Sequence, residues 1–198
     1  MNALQKFSLE GKVALVTGGS RGLGRAMAEA LGDAGASVAV TARTLAAAEA
    51  AASELSELGI RAYGVQLEVS DVDDVERAVE QVSTEFGEID VLLNNAGIGV
   101  AGRAFETPDT AWHEVFSVNV DGLWYCSRAV ARRMAERGGG TIVNVGSMSA
   151  EIVNQPRHYN GEGFVETGFP PHCFRAVHTT DISVFTDMLV HSNVRAKA

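Results

Sequence analysis

Short apolar runs alternate with segments of helical spacing through the first 150 residues. The runs at 12–17, 37–41, 61–67, 89–93 and 140–145 predict strands. Residues 22–33, 45–58, 72–86 and a long span from about 109 to 137 repeat their apolar positions at helical spacing. Strands separated by helices predict a parallel sheet covered on both faces, an α/β doubly wound fold of the Rossmann type. Local signals agree with these periods. The alanine-rich stretch 46–52 favours helix. Gly35, Gly59 and Gly87 stand just past predicted helix ends, where glycine often provides the stop. Ser70-Asp71 can cap the third helix.

The pattern changes near Gln155. Four of five histidines, three of four prolines and four of eight phenylalanines lie from there onward. The stretch 169–174 (Phe-Pro-Pro-His-Cys-Phe) resembles no strand–helix–strand crossover, and the period of 181–190 suits a short helix or a short strand. The chain therefore divides into a region 1–154 with the α/β pattern and an atypical tail 155–198. The tail is either a small appended unit or sequence never selected to complete the sheet.

Composition narrows the partners. The 198 residues suit one domain with a sizeable core. A net charge of −9 argues against nucleic acid or an anionic membrane as the main partner. No apolar stretch approaches the roughly 18 residues that span a bilayer, and the N-terminus lacks a signal-peptide core. Cys126 and Cys173 are too few for a disulfide framework, so a reducing cytoplasm is expected. His172, Cys173, His178 and His191 match no zinc spacing, and no metal is expected. Trp112 and Trp124 have helical spacing and read as core or interface positions.

The chemistry is concentrated at strand ends. After the first strand comes Thr17-Gly18-Gly19-Ser20-Arg21-Gly22-Leu23-Gly24, which leads into a helix. Glycines let the backbone approach a pyrophosphate, and the unpaired N–H groups of a helix N-terminus point at it. The alternative is a tight strand–helix connection without a ligand. Asn94-Asn95-Ala96-Gly97 follows the fourth strand, Asn119 lies in the long helix, and Ser147 lies just past the fifth strand. In a parallel sheet all of these face one crevice at the strands' C-terminal ends.

With these residues in order, the chain resembles the short-chain dehydrogenase/reductase family over roughly residues 7 to 154. The resemblance implies that the glycine turn, with Thr17, Gly18, Ser20, Arg21, Gly22, Leu23 and Gly24, holds the adenosine side of NAD or NADP. It implies that Asn95, Ala96 and Gly97 line the cofactor site and support the sheet. It places Glu68, followed by Val69, where the family has an acidic residue beside the adenine; a solvated strand-end carboxylate is the alternative. An acid about 20 residues past the turn would hydrogen-bond a ribose 2′-OH. Here Thr41-Ala42-Arg43 carries none, and Arg21 and Arg43 suit a 2′-phosphate, so NADP(H) is favoured over NAD(H). Arg43 as a plain surface cation is the alternative.

The same resemblance assigns the chemistry to Asn119, Ser147 and a Tyr-x-x-x-Lys pair. A free phenol has a pKa of about 10 and needs a neighbouring cation to ionise near neutrality. Tyr159 fits the tyrosine position, but Gly163 stands where the lysine belongs, and no lysine occurs between Lys12 and Lys197. A coincidental tyrosine is the competing view of Tyr159. Two glycines in 160–163 also make a poor helix interior, each costing about 1 kcal/mol relative to alanine. The family commonly uses that helix to dimerise, so a homo-oligomer is expected. The sixth strand is not recognisable, which leaves the fifth strand as an exposed edge. The implied function is an NAD(P)(H)-dependent oxidoreductase interconverting an alcohol and a carbonyl on a small molecule of the sugar, polyol or 3-oxoacyl kind. The alternatives are a catalytically impaired dinucleotide-binding module and a truncated remnant of the family.

Overall fold

The structure, a computed structural model, describes residues 7–100 and 107–146, and strand backbone at 178–179, 182–183 and 190–194. The elements β1 (Val13–Val16), α1 (Gly22–Asp33), β2 (Ser37–Ala42), α2 (Leu45–Glu57), β3 (Ala62–Gln66), α3 (Val72–Glu85), β4 (Val91–Asn94), α4 (Asp109–Phe116), α5 (Gly122–Glu136) and β5 (Gly140–Asn144) follow the predicted alternation. All four residues of β1 are buried, as a strand covered on both faces requires. Its side chains alternate between two cores. Val13 and Leu15 join Leu92 and Ile142 beneath α3 and α5, while Ala14 and Val16 join Val38, Val40 and Leu93 beneath α1 and α2. The glycines expected as helix stops follow α1, α2 and α3 with positive φ at Gly35, Gly59 and Gly87. Asp71 caps α3 by accepting from the Asp73 and Asp74 amides.

The strand order is β3-β2-β1-β4-β5, and all four pairings are parallel. The first two crossovers step outward from β1, and the third returns across it to place β4 on β1's other side. The order therefore reverses between β1 and β4, and such a switch point opens a crevice at the strands' C-terminal ends. The segments after β1 and β4 are the two that carry the glycine turn and Asn94-Asn95.

Two expectations need correction. The long helix from 109 to 137 is interrupted by a wide π-helical turn, Ser117–Asp121, between α4 and α5. Such turns are rare and often stand at functional sites, and this one holds Asn119. The fifth strand is not an open edge. Three short strands follow in the tail, β6 (His178–Thr179), β7 (Ile182–Ser183) and β8 (Val190–Val194). β8 lies antiparallel on β5, with Asn144 opposite Val190 and Gly140 opposite Val194, so the outer edge of β5 finds backbone partners. The segment left open between helix and strand thus contributes strand at 182–183 and from Val190 onward. The boundary at residue 154 falls outside the described residues.

Candidate functional site

The crevice is built by neutral side chains that tie one strand end to the next. Thr17, at the exit of β1, is 1% exposed. Its Oγ1 accepts from the backbone N–H groups of Asn95 and Ala96, both at 3.0 Å, and lies 3.5 Å from the Leu93 carbonyl oxygen. Asn95 reaches back across the switch point. Its Nδ2 donates to the carbonyl oxygens of Thr17 at 3.1 Å and Gly18 at 3.2 Å. Thr41, buried at the end of β2, accepts from the Gly18 N–H at 3.3 Å, and its own carbonyl accepts from the Gly19 N–H at 3.0 Å. The turn is thereby held from both neighbouring strands.

Two of its glycines are required by this geometry. Gly22 has φ +56°, and a Cβ there would meet nothing within 4 Å, so the turn is left-handed with open space beside it. Gly24 is the opposite case. A Cβ there would stand 2.3 Å from Asn95 Nδ2 and 2.5 Å from the Gly18 oxygen. The helix that follows begins at Arg21 with no side-chain cap, whereas Thr44 and Asp71 cap α2 and α3 with their side chains. The first-turn N–H groups of α1 thus have no side chain of the cap competing for them. Ser20 is half-buried, and Arg21, Gly22 and Leu23 are exposed around that N-terminus.

Asn119 faces the segment after β4. Its Oδ1 accepts from the Ile98 N–H at 2.8 Å, and its Nδ2 donates to the Ile98 carbonyl at 2.8 Å. This pair mimics a strand ladder with one side chain, and it holds Gly97 and Ile98 beside the wide turn. Val69 is buried and, with Thr17, Asn94, Ala96, Val118, Gly122 and Leu123, lines a recess too narrow to hold a water molecule. Glu68 turns its carboxylate back on its own loop, where Oε1 accepts from the Ser70 hydroxyl at 2.7 Å and the Ser70 N–H at 3.3 Å. Arg43 is exposed just past β2, and its carbonyl accepts from Gln66 Nε2. Ser147 and Tyr159 lie outside the described residues, as do His172 and Cys173. Among the described residues no three His, Cys, Asp or Glu side chains gather to hold a metal. No described helix is long and apolar enough to cross a membrane.

Sequence reasoning placed Asn94 at the crevice but overlooked its partners Ser127 and Asn144, and the hold of Thr41 on the glycine turn. Asn94 Nδ2 donates to Ser127 Oγ at 2.8 Å and to Asn144 Oδ1 at 2.9 Å. The available signal was a single amide closing an apolar strand run, at Asn94 and again at Asn144. Cys126, beside Ser127, is 1% exposed, and burial pushes its thiol up to about 12, so it stays protonated at neutral pH.

The chain is similar in sequence and fold to known proteins. A model of the short chain dehydrogenase family matches residues 12–159. Galactitol 2-dehydrogenase of Rhizobium johnstonii is 42% identical over 162 residues, covering 79% of this chain and 61% of that protein. A 3-oxoacyl-[acyl-carrier-protein] reductase of Vibrio harveyi is 37% identical over 182 residues, covering 91% of this chain and 73% of the reductase. Among solved structures, a gluconate 5-dehydrogenase from Burkholderia cenocepacia in complex with NADP and tartrate superposes with a TM-score of 0.75 at 34% identity, covering 77% of this chain and 60% of that one. A 7α-hydroxysteroid dehydrogenase complexed with NADH reaches a TM-score of 0.73 at 30% identity, covering 78% and 60%. The chain thus spans roughly three-fifths of the length of most of these proteins. A glycine turn locked by Thr17 and Asn95 at the switch point, and a family match over residues 12–159, place this chain in the short-chain dehydrogenase family.

Proposed function

We propose that the chain binds a nicotinamide dinucleotide in the β1–β4 crevice and interconverts an alcohol and a carbonyl on a small polar molecule. The observation that carries this reading is the lock of Thr17 and Asn95 on the glycine turn, which holds the backbone open toward the N-terminus of α1. The residues present fit such a group. The open space at Gly22 leaves room for a pyrophosphate, and no side chain of the Arg21 cap occupies the first-turn N–H groups of α1.

The similar structures carry both nucleotides, so the choice rests on this chain's own charges. Arg21, after β1, and Arg43, just past β2, are both exposed and suit a 2′-phosphate as charge-assisted donors. NADP(H) is therefore favoured over NAD(H). When bound, the nicotinamide gives or takes a hydride. In this reading Ser147 holds the substrate oxygen, Tyr159 passes a proton to or from it, and Asn119 fixes Gly97 and Ile98 beside it. The 3-oxoacyl, galactitol and gluconate relatives support a substrate with a polar carbonyl or hydroxyl neighbour. The two cysteines, one of them buried as a free thiol, support a reducing cytoplasm as its compartment.

A second reading has one observation in its favour. Gly163 stands at the family's lysine position, so no ammonium four residues on assists Tyr159. That reading is a dinucleotide-binding module without turnover. Titrating the 198-residue protein with NADPH and NADH, followed by nucleotide fluorescence, tests the shared claim. Saturable binding, tighter for NADPH and reversed in preference by Arg43→Glu, is the expected result. Soluble protein that binds neither nucleotide would overturn both readings. Turnover of galactitol, 5-ketogluconate or a 3-oxoacyl thioester that Tyr159→Phe abolishes then decides for the enzyme. Turnover unchanged by that substitution would remove Tyr159 from the mechanism.

A further inference from the structure

The segment that leaves β4 is held at both ends by one helical span. At its far end Asn119 takes both backbone groups of Ile98. At its near end Ser127 Oγ takes one N–H of the Asn94 amide at 2.8 Å. The other N–H of that amide goes to Asn144 Oδ1 at 2.9 Å, across the β4–β5 pair in which Asn94 and Asn144 stand opposite each other. The Val145 N–H then closes on the Asn94 carbonyl at 2.9 Å. Asn94 is 4% exposed and Asn144 is 7% exposed, so their mutual bond is shut off from water, and the half-buried Ser127 completes the amide's donors. Asn94 Oδ1 is already buried with no partner among the described residues. A second loss at the same amide leaves little to fix its plane.

The lengths match. From Asn119 to Ser127 is eight positions, about 11–12 Å of helix. From Asn94 to Ile98 is four positions, at most about 13 Å of extended chain. The helix runs opposite to the strand, so its early anchor meets the late residue and its late anchor meets the early one. In a regular α-helix, residues eight apart differ by about 80° in direction. The wide turn at Ser117–Asp121 advances by less per residue and brings both anchors onto the face toward β4.

We propose that Ser127 is a positioning residue for the dinucleotide site. Through Asn94 it sets the span that carries Asn95, Ala96 and Gly97, and hence the hold of Asn95 on the glycine turn. Its use for nucleotide rests on the function proposed above; its effect on the β4 exit does not. Ser127→Ala removes the acceptor and frees one Asn94 N–H. Ser127→Thr keeps the oxygen. Val82→Ala, in the α3 face of the core, serves as a control that loosens the protein without touching this span.

The deciding experiment measures amide hydrogen exchange of Asn95, Ala96, Ile98 and Val145 in the full chain, with NADPH titration alongside. Ser127→Ala is expected to speed exchange at these four amides by about tenfold beyond the Val82→Ala control, with Ser127→Thr restoring protection. It is expected to weaken NADPH binding about fivefold to tenfold. Unchanged exchange at the four amides relative to the control would overturn the proposal. So would faster exchange with undiminished NADPH affinity, since Ser127 would then be structural only. A parent protein that binds no nucleotide would overturn the dinucleotide role while the exchange data still decide what Ser127 holds.

Discussion

The two ends of this sheet are held by different chemistry. At the C-terminal ends the fasteners are hydroxyls and amides: Thr17, Thr41, Asn94, Asn95 and Asn119, each bonded to backbone or to another polar side chain at 2.8–3.5 Å. At the N-terminal ends the fasteners are charges. Asp90 accepts from the Val13 N–H and faces Lys12 and Arg137, and Glu88 is gripped by both sides of the Arg133 guanidinium, which also reaches Glu80 at 2.7 Å. Three of the neutral fasteners, Thr17, Thr41 and Asn94, are buried, and Asn95 and Asn119 are half-buried. The charged ones are a fifth to two-thirds exposed, where ion pairs contribute little. One end is therefore fastened by neutral groups whose bonds fix geometry, and the other by exposed charges that tolerate change.

This contrast can be broken most sharply at Thr17. Thr17→Val keeps the shape but leaves the Asn95 and Ala96 amides without their acceptor, at about 1–3 kcal/mol each. Urea unfolding should show a loss at the high end of single substitutions, and NADPH binding should vanish; a loss under 1 kcal/mol would mean the hydroxyl is not the hub. Gly24→Ala should come next. Its Cβ meets the Asn95 amide and the Gly18 carbonyl, so about 1–3 kcal/mol of strain is expected together with weakened nucleotide binding. At the other end Arg133→Ala, which removes three ionic contacts, should cost only about 0.2–1 kcal/mol and leave nucleotide affinity unchanged. A larger loss would make the charged end as exacting as the neutral one.

The smallest effect is a pH dependence. The Arg133 guanidinium hydrogen-bonded to Glu88 holds that carboxyl below its usual value. A lowered folded-state pKa adds stability that is present above the unfolded value of about 4.3 and disappears as pH falls through the folded one. Denaturant midpoints measured from pH 6 down to pH 3 should therefore fall slightly less steeply in Glu88→Gln than in the parent. Parallel curves would remove Glu88 from the acid response.

The sheet and its helices were legible because their signals are local. Apolar runs of four to six residues, bounded by glycine and caps, identify β1 through β5 without tertiary information. The candidate crevice followed from order alone, since the segments after β1 and β4 must meet at a switch point. What escaped depends on partners distant in sequence. Ser117–Asp121 has nothing in its residues to mark a wide turn, and the turn makes sense only with Ile98 waiting beneath Asn119. Ser127 reads as one more polar residue on a helix until Asn94 is placed opposite it. β8 is half polar in sequence, Val-His-Ser-Asn-Val, and takes meaning only from the edge of β5.

The hydrogen bonds from Asn95 to the glycine turn join residues 77 and 78 apart in the chain. Closing a flexible loop of that length costs about 4 kcal/mol beyond a fixed constant, the dearest closure among the parallel pairings of this sheet. Neighbouring strands on the β3-β2-β1 side pair across 24 positions. During folding, the first half of the chain can therefore zip together early, while the glycine turn waits for β4 to arrive. A nascent chain that stops short of Asn95 owns most of one core and only the β1 side of the crevice.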